Sequence, residues 1–157
     1  MNCQFPYSSL IIHHSSFNHM RYLTLDQLLD LHTFAVTRYG GRQGIKSQDR
    51  LQSALTAPQQ VIFGTELYAD LAGKAAVLGF QLLKNRPFVS ANEATALLAM
   101  LRFLHDNDAV LSGGVVPLVD QLRLVMASQL DRDGLEAWLR ENLETQVEGR
   151  GVERLEG

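Results

Sequence analysis

The stretch from Leu67 to Lys84, "LYADLAGKAAVLGFQLLK", limits the possible folds more than any other part of the chain. Wound as a helix it is apolar on most faces, so it has no side to offer water and belongs in the middle of a core. A chain of 157 residues, 46% of them hydrophobic, has the material for one such core. The flanking segments must then wrap that helix.

They read as helices punctuated by turn residues. Thr24 can cap a helix with Leu25, Leu28, Leu29, His32, Val36 and Tyr39 at three- and four-residue spacing, ended by Gly40-Gly41. Ser47 can cap a shorter one through Leu51, Ala54 and Leu55, stopped at Pro58. Beyond the central segment, a helix from about Ala91 to Asn107 shows a stripe of Ala94, Leu97, Leu98, Leu101 and Leu104. "DNDAVLSGG" is a turn with room for a short extended stretch. Pro117 suits a first helical position, with Leu118, Leu122 and Val125 on one face. Asp133-Gly134-Leu135-Glu136 reads as a capping box before Leu135, Trp138, Leu139 and Leu143. There is no internal repeat and no sustained period of two. The expectation is an all-α, compact single-domain helical bundle of about six helices.

The pattern assigns residues 21–145 to the domain, 1–20 to a flexible extension and 146–157 to a flexible charged tail. Met20 is an alternative translation start to Met1. A net charge of −3 gives no global attraction to nucleic acid or to an anionic membrane. No apolar run approaches the roughly 18 residues of a membrane span. The single Cys3 excludes an internal disulfide and fits a cytoplasmic location.

The stretch "NRPFVSANEATA", Asn85 to Ala96, joins the two most apolar segments and has the outline of a phosphate-handling loop without His, Asp, Cys or Lys. Together with "RYGGRQGIKSQDRLQSALTAPQQ" and "ELYADLAGKAAVLGFQLLK", it resembles the death-on-curing (Doc) branch of the Fic-domain family. The resemblance implies a helical bundle with its active loop between two central helices. It implies ATP or another nucleotide with Mg²⁺, used to transfer AMP or a phosphoryl group to a protein hydroxyl. Doc proteins are toxins that modify a translation factor and are restrained by a small antitoxin, so an antitoxin or a toxin-like protein is the partner implied.

The family loop reads approximately His-Pro-Phe-x-Asp-Gly/Ala-Asn-Lys/Gly-Arg-Thr-Ala. Pro87, Phe88, Ala91, Asn92, Thr95 and Ala96 match it. The general-base His falls on Arg86, the metal-binding Asp on Ser90, and the phosphate-binding Lys and Arg on Glu93 and Ala94. A guanidinium with a pKa above about 12 cannot act as a base near neutral pH. A neutral hydroxyl is a poor substitute where Mg²⁺ prefers a carboxylate. Glu93 sets an anion where polyphosphate would sit, and Ala94 removes a bidentate phosphate grip.

No catalytic residue and no metal ligand is therefore expected. The replacements also suggest that Ser90 and Glu93 form a capping box at a helix start. Residual anion binding, if retained, would fall to Arg86 and Asn92. The favoured reading is a degenerate Doc-like protein that acts through protein binding, with no cofactor. The alternative is an active toxin transferring a phosphoryl or nucleotidyl group from a nucleotide. Among other candidates, His13, His14 and His19 read as a solvated tail, His32 as a structural histidine and His105 as a helix-end cation. Arg38, Arg42, Lys46 and Arg50 form a local basic patch. Asp26, Asp30, Glu66 and Asp70 read as surface charges.

Overall fold

The computed structural model describes residues 19–145. Among these, six α-helices follow one another: α1 (Leu25–Tyr39), α2 (Gln48–Thr56), α3 (Leu71–Asn85), α4 (Asn92–Asp106), α5 (Val115–Met126) and α6 (Arg132–Asn142). A short 3-10 turn, Ala57–Gln59, follows α2. Two small antiparallel ribbons complete the fold: β1 (Val61–Ile62) pairs with β2 (Thr65–Glu66), and β3 (Ala109–Leu111) with β4 (Leu143–Thr145). The all-α expectation holds. His13, His14, Cys3 and the tail from 146 lie outside the described residues.

Helix α3 is the central element. Ala72 through Gly79, with Leu82 and Leu83, are buried, and the helix packs most extensively on α4 and α6. It begins four residues later than the apolar run suggests, because Asp70 accepts a hydrogen bond from the Gly73 amide and sets the first turn there. Asp70 is thus a helix cap as well as a surface charge, and Arg140 of α6 donates to its other oxygen at 2.8 Å. Burial pushes the Asp70 carboxyl up, but the Gly73 amide and Arg140 together hold it below the usual value.

Several starts match the sequence reading. Thr24 and Gln27 form a reciprocal capping box, and Ser47 accepts from the Arg50 amide. Two differ. The cap of α6 is Asp131, bonded to the Gly134 amide, so Asp133 lies in the first turn rather than before it. Helix α5 starts at Val115, which makes Pro117 its third residue; an N–H at that position would have no intrahelical partner, so proline's missing donor is tolerated there.

Of the predicted stripe on α4, only Leu104 lies on the buried inner face. Asn92, Thr95, Ala96, Ala99, Met100, Phe103 and Leu104 are buried, while Ala94, Leu97, Leu98 and Leu101 flank them half-buried. The reason is close approach. A β-carbon added at Gly79 would stand 2.1 Å from the Met100 sulfur, so α3 and α4 meet through glycine and alanine. The leucines fill the grooves on either side.

Lys74 is 2% exposed yet charged. Its Nζ donates to the Pro58 carbonyl at 3.0 Å and to Glu66 at 3.0 Å, tying the β1–β2 ribbon to the central helix. Glu66 is therefore the buried lysine's counter-ion rather than a free surface charge.

Candidate functional site

The loop joining α3 to α4 is bracketed by two non-glycine residues in the left-handed region, Arg86 at φ 44° and Ala91 at φ 57°. Such conformations cost on the order of 1 kcal/mol each and persist only where the surroundings impose them. Here the segment 42–50 imposes them, running antiparallel along the loop. Val89 donates to the Gly44 carbonyl at 2.9 Å, and Lys46 and Ser47 donate to the Pro87 carbonyl at 2.7 and 3.1 Å. Ile45 pairs with Phe88 between them. Arg50 donates from its guanidinium to the Asn85 carbonyl at 3.2 Å.

Ser90 closes this seam. Its hydroxyl accepts from the Arg42 amide at 2.7 Å and donates to the Arg42 carbonyl at 2.9 Å. A hydroxyl can do both at once, whereas a carboxylate can only accept. The approach requires glycine at 41: a β-carbon there would stand 2.5 Å from the Ser90 oxygen, and φ is +117°. The predicted Ser90–Glu93 capping box is therefore absent. Helix α4 is entered through Ala91 with no side-chain cap, because Ser90 is bonded across to the α1–α2 loop instead.

Glu93 is likewise engaged elsewhere, with the Arg86 guanidinium 2.6 Å from its carboxylate. Partial burial pushes the Glu93 carboxyl up, but the Arg86 hydrogen bond and charge bring it below the ordinary value, so it is ionised at neutral pH. Both partners are half-exposed, which keeps the pair's contribution small. Ala94 is half-buried and brings only a methyl group.

Asn92 is 1% exposed, and its amide bonds both backbone groups of Phe88: it accepts from the nitrogen at 2.9 Å and donates to the oxygen at 3.0 Å. The retained Pro87 and Phe88 are buried, and Ala96 is fully buried in the core. These matched positions hold the loop's shape.

His32 lies beneath the same loop. Its ring stacks on Phe88 with centroids 3.8 Å apart and planes at 9°. Its Nδ1 is 3.2 Å from the Thr95 hydroxyl, which itself donates to the Ala91 carbonyl at 2.7 Å. Since the single hydroxyl proton is already given to Ala91, Thr95 must accept, and the neutral ring is the Nδ1–H tautomer. Nε2 is buried without a hydrogen-bond partner among the described residues. Burial lowers the pKa of His32 below 6.5.

The native state therefore binds fewer protons than the unfolded chain below pH 6.5, and stability falls as pH drops through that value toward the lower folded pKa. Chemical denaturation between about pH 7.5 and about pH 5.5 tests this. The unmodified chain is expected to lose stability across the range. His32→Gln is expected to start lower and to lack that component of the slope. Parallel pH profiles for the two proteins would contradict the assignment.

The sequence placed Arg86, Ser90, Glu93 and Ala94 at one loop; the fold puts Arg86 and Ser90 at the end of α3 and in the loop, and Glu93 and Ala94 in the first turn of α4, with Arg86 and Glu93 paired. What it missed is that Gly41, Arg42 and Gly44 form the other wall. The signal was present in "YGGRQGI", whose glycines exceed what ending a helix requires. His105 is exposed beside Asp106, far along α4 from the loop. Among the described residues no group of three His, Cys, Asp or Glu side chains could hold a metal ion. No helix there is long and apolar enough to cross a membrane.

A helical bundle whose signature loop joins two central helices defines the class of fold. The Fic/DOC family model matches residues 22–104, spanning α1 to α4. Toxin Doc from Mycolicibacterium smegmatis is 30% identical over 112 residues, covering 70% of this chain and 86% of that protein. The chain belongs to the Fic/DOC family and is related to its Doc toxins.

Proposed function

We propose that this chain is a Doc-type protein without nucleotide-dependent transfer activity, acting by binding another protein. The observation that carries this is the reciprocal Ser90–Arg42 clasp, at 2.7 and 2.9 Å, at the position where the family has its metal-binding aspartate. A metal ion there would have to displace both hydrogen bonds and would gain a neutral oxygen in return. Glu93, paired with Arg86, stands as an anion where the family grips phosphate. The donor set does not fit a nucleotide with Mg²⁺, so no chemical step is derived through one.

The family's antitoxins restrain Doc toxins by contact, and contact needs a surface rather than a base. The surface offered by α1, the loops and α4 rests on buried positions, Leu28, Ala35, Phe88 and Ala99 among them, and none of the four replacements falls on one of these. A small antitoxin or a toxin-like protein is accordingly the class of partner proposed.

Incubating the purified chain with ATP labelled at the α or γ phosphate and a cell extract tests the loss of transfer. The expectation is no labelled protein above an Asn92→Ala control. Labelling that depends on the unmodified chain would overturn this reading and establish the transferase alternative.

A further inference from the structure

The segment 38–50 bears Arg38, Arg42, Lys46 and Arg50 against one acid, Asp49, in a chain whose net charge is −3. All four cations are exposed. Elsewhere, Lys74, Arg86, Arg102, Arg123, Arg132 and Arg140 each stand within 3.1 Å of a carboxylate oxygen. Among the described residues no ion pair involves Arg38, Arg42, Lys46 or Arg50. Arg21 and Lys84, the other two lysine or arginine cations without an ion pair among the described residues, donate to the Asp106 carbonyl and the Ser128 hydroxyl elsewhere on the chain. Positive charge is thus concentrated in the segment 38–50 beside the site loop, on a protein that is acidic as a whole.

Two features set this strip apart from an ordinary solvated surface. Its backbone is fixed, because Arg42, Gly44, Lys46 and Ser47 are hydrogen-bonded to the loop residues Pro87, Val89 and Ser90. Less entropy is therefore lost when a partner engages it. It is also edged by apolar side chains held in water: Tyr39 is 65% exposed and Val89, within the loop itself, is 41% exposed. Cations flanked by a tyrosine and a valine match a peptide that alternates carboxylates with apolar residues.

We propose that this strip docks an acidic peptide segment of a partner protein, with Arg38, Arg42 and Lys46 facing its carboxylates and Tyr39 and Val89 receiving its apolar side chains. The proposal rests on the reading that the chain acts by binding, and adds the chemistry of what is bound. Nucleic acid fits less well. Of the apolar side chains at its edge only Tyr39 could stack on a base, and a valine cannot.

Fluorescence anisotropy on the full chain tests it, with a short labelled peptide of Glu, Leu and Ala as the probe. A Lys-rich peptide, a mixed-sequence single-stranded oligonucleotide and ATP with Mg²⁺ serve as comparisons. The Glu-rich peptide is expected to bind and to weaken as salt is raised. Arg42→Gln/Lys46→Gln should weaken it about tenfold, since it removes two solvent-exposed ion pairs of modest strength. That variant should unfold at an unchanged temperature, because only the backbone of 42 and 46 holds the loop. Arg123→Gln, on α5, should leave binding unchanged. No binding of the Glu-rich peptide, equal binding by the double variant, or tighter binding of the oligonucleotide would each overturn the inference. Failure without ATP binding overturns the docking strip and leaves the proposed loss of transfer standing; saturable, Mg²⁺-dependent ATP binding overturns the reading on which this inference rests.

Discussion

Asn92→Ala should lower the unfolding free energy by about 3 kcal/mol, the largest effect expected of a single substitution in the loop. The Asn92 amide is the partner of both backbone groups of Phe88, at 2.9 and 3.0 Å, and both residues are 1% exposed. Truncation leaves a buried N–H and a buried C=O without partners, each costing about 1–3 kcal/mol. For a domain of this size that corresponds to roughly 6–12 °C in melting temperature. Asn92→Asp should fall between, since a carboxylate still accepts from the Phe88 nitrogen but repels its oxygen. Urea denaturation of the three proteins measures the ordering. Equal stability of Asn92→Ala and the unmodified chain would mean that the loop is not held by this side chain.

The quadruple reversion Arg86→His, Ser90→Asp, Glu93→Lys, Ala94→Arg should create Mg²⁺-dependent nucleotide binding. It removes the Arg86–Glu93 ion pair and replaces one anion by two phosphate-directed cations. Two charge-assisted contacts at about 1.5–3 kcal/mol each predict a gain of roughly 10²–10⁴-fold over the unmodified chain. Recovery should be partial. A carboxylate at 90 can still accept from the Arg42 amide, but it would face the Arg42 carbonyl to which Ser90 now donates at 2.9 Å. The α1–α2 loop must shift before a metal can be bound. For the same reason Ser90→Asp alone should destabilise the fold by about 1–2 kcal/mol. A reversion that folds and binds no nucleotide would show that the four replacements are not what separates this loop from an active one.

The helices were legible because their signals are local. Thr24 and Ser47 cap where their side chains reach the next amides, and the all-round apolar run could only be a central helix. The buried face of α4 was not legible. Counting leucines points to Leu97, Leu98 and Leu101, whereas the helix turns its alanines inward because Gly79 of α3 admits Met100 there. That choice is made by a partner helix that a one-dimensional pattern does not contain. The site divides in the same way. The four replaced positions lie in one stretch of twelve residues and could be read directly. The Ser90 hydroxyl had a plausible local partner in the Glu93 amide, and the spacing S-x-x-E favoured it. The better partner was Arg42, forty-eight residues away, which supplies both a donor and an acceptor.

Whether the family's nucleotide still has a place in this loop is tested most directly by calorimetric titration of the unmodified chain with ATP, in the presence and absence of Mg²⁺. Silent titrations in both conditions are the predicted result. A saturable, Mg²⁺-dependent heat at micromolar nucleotide would contradict the account, because Ser90 would then have released Arg42 to make room for a metal ion.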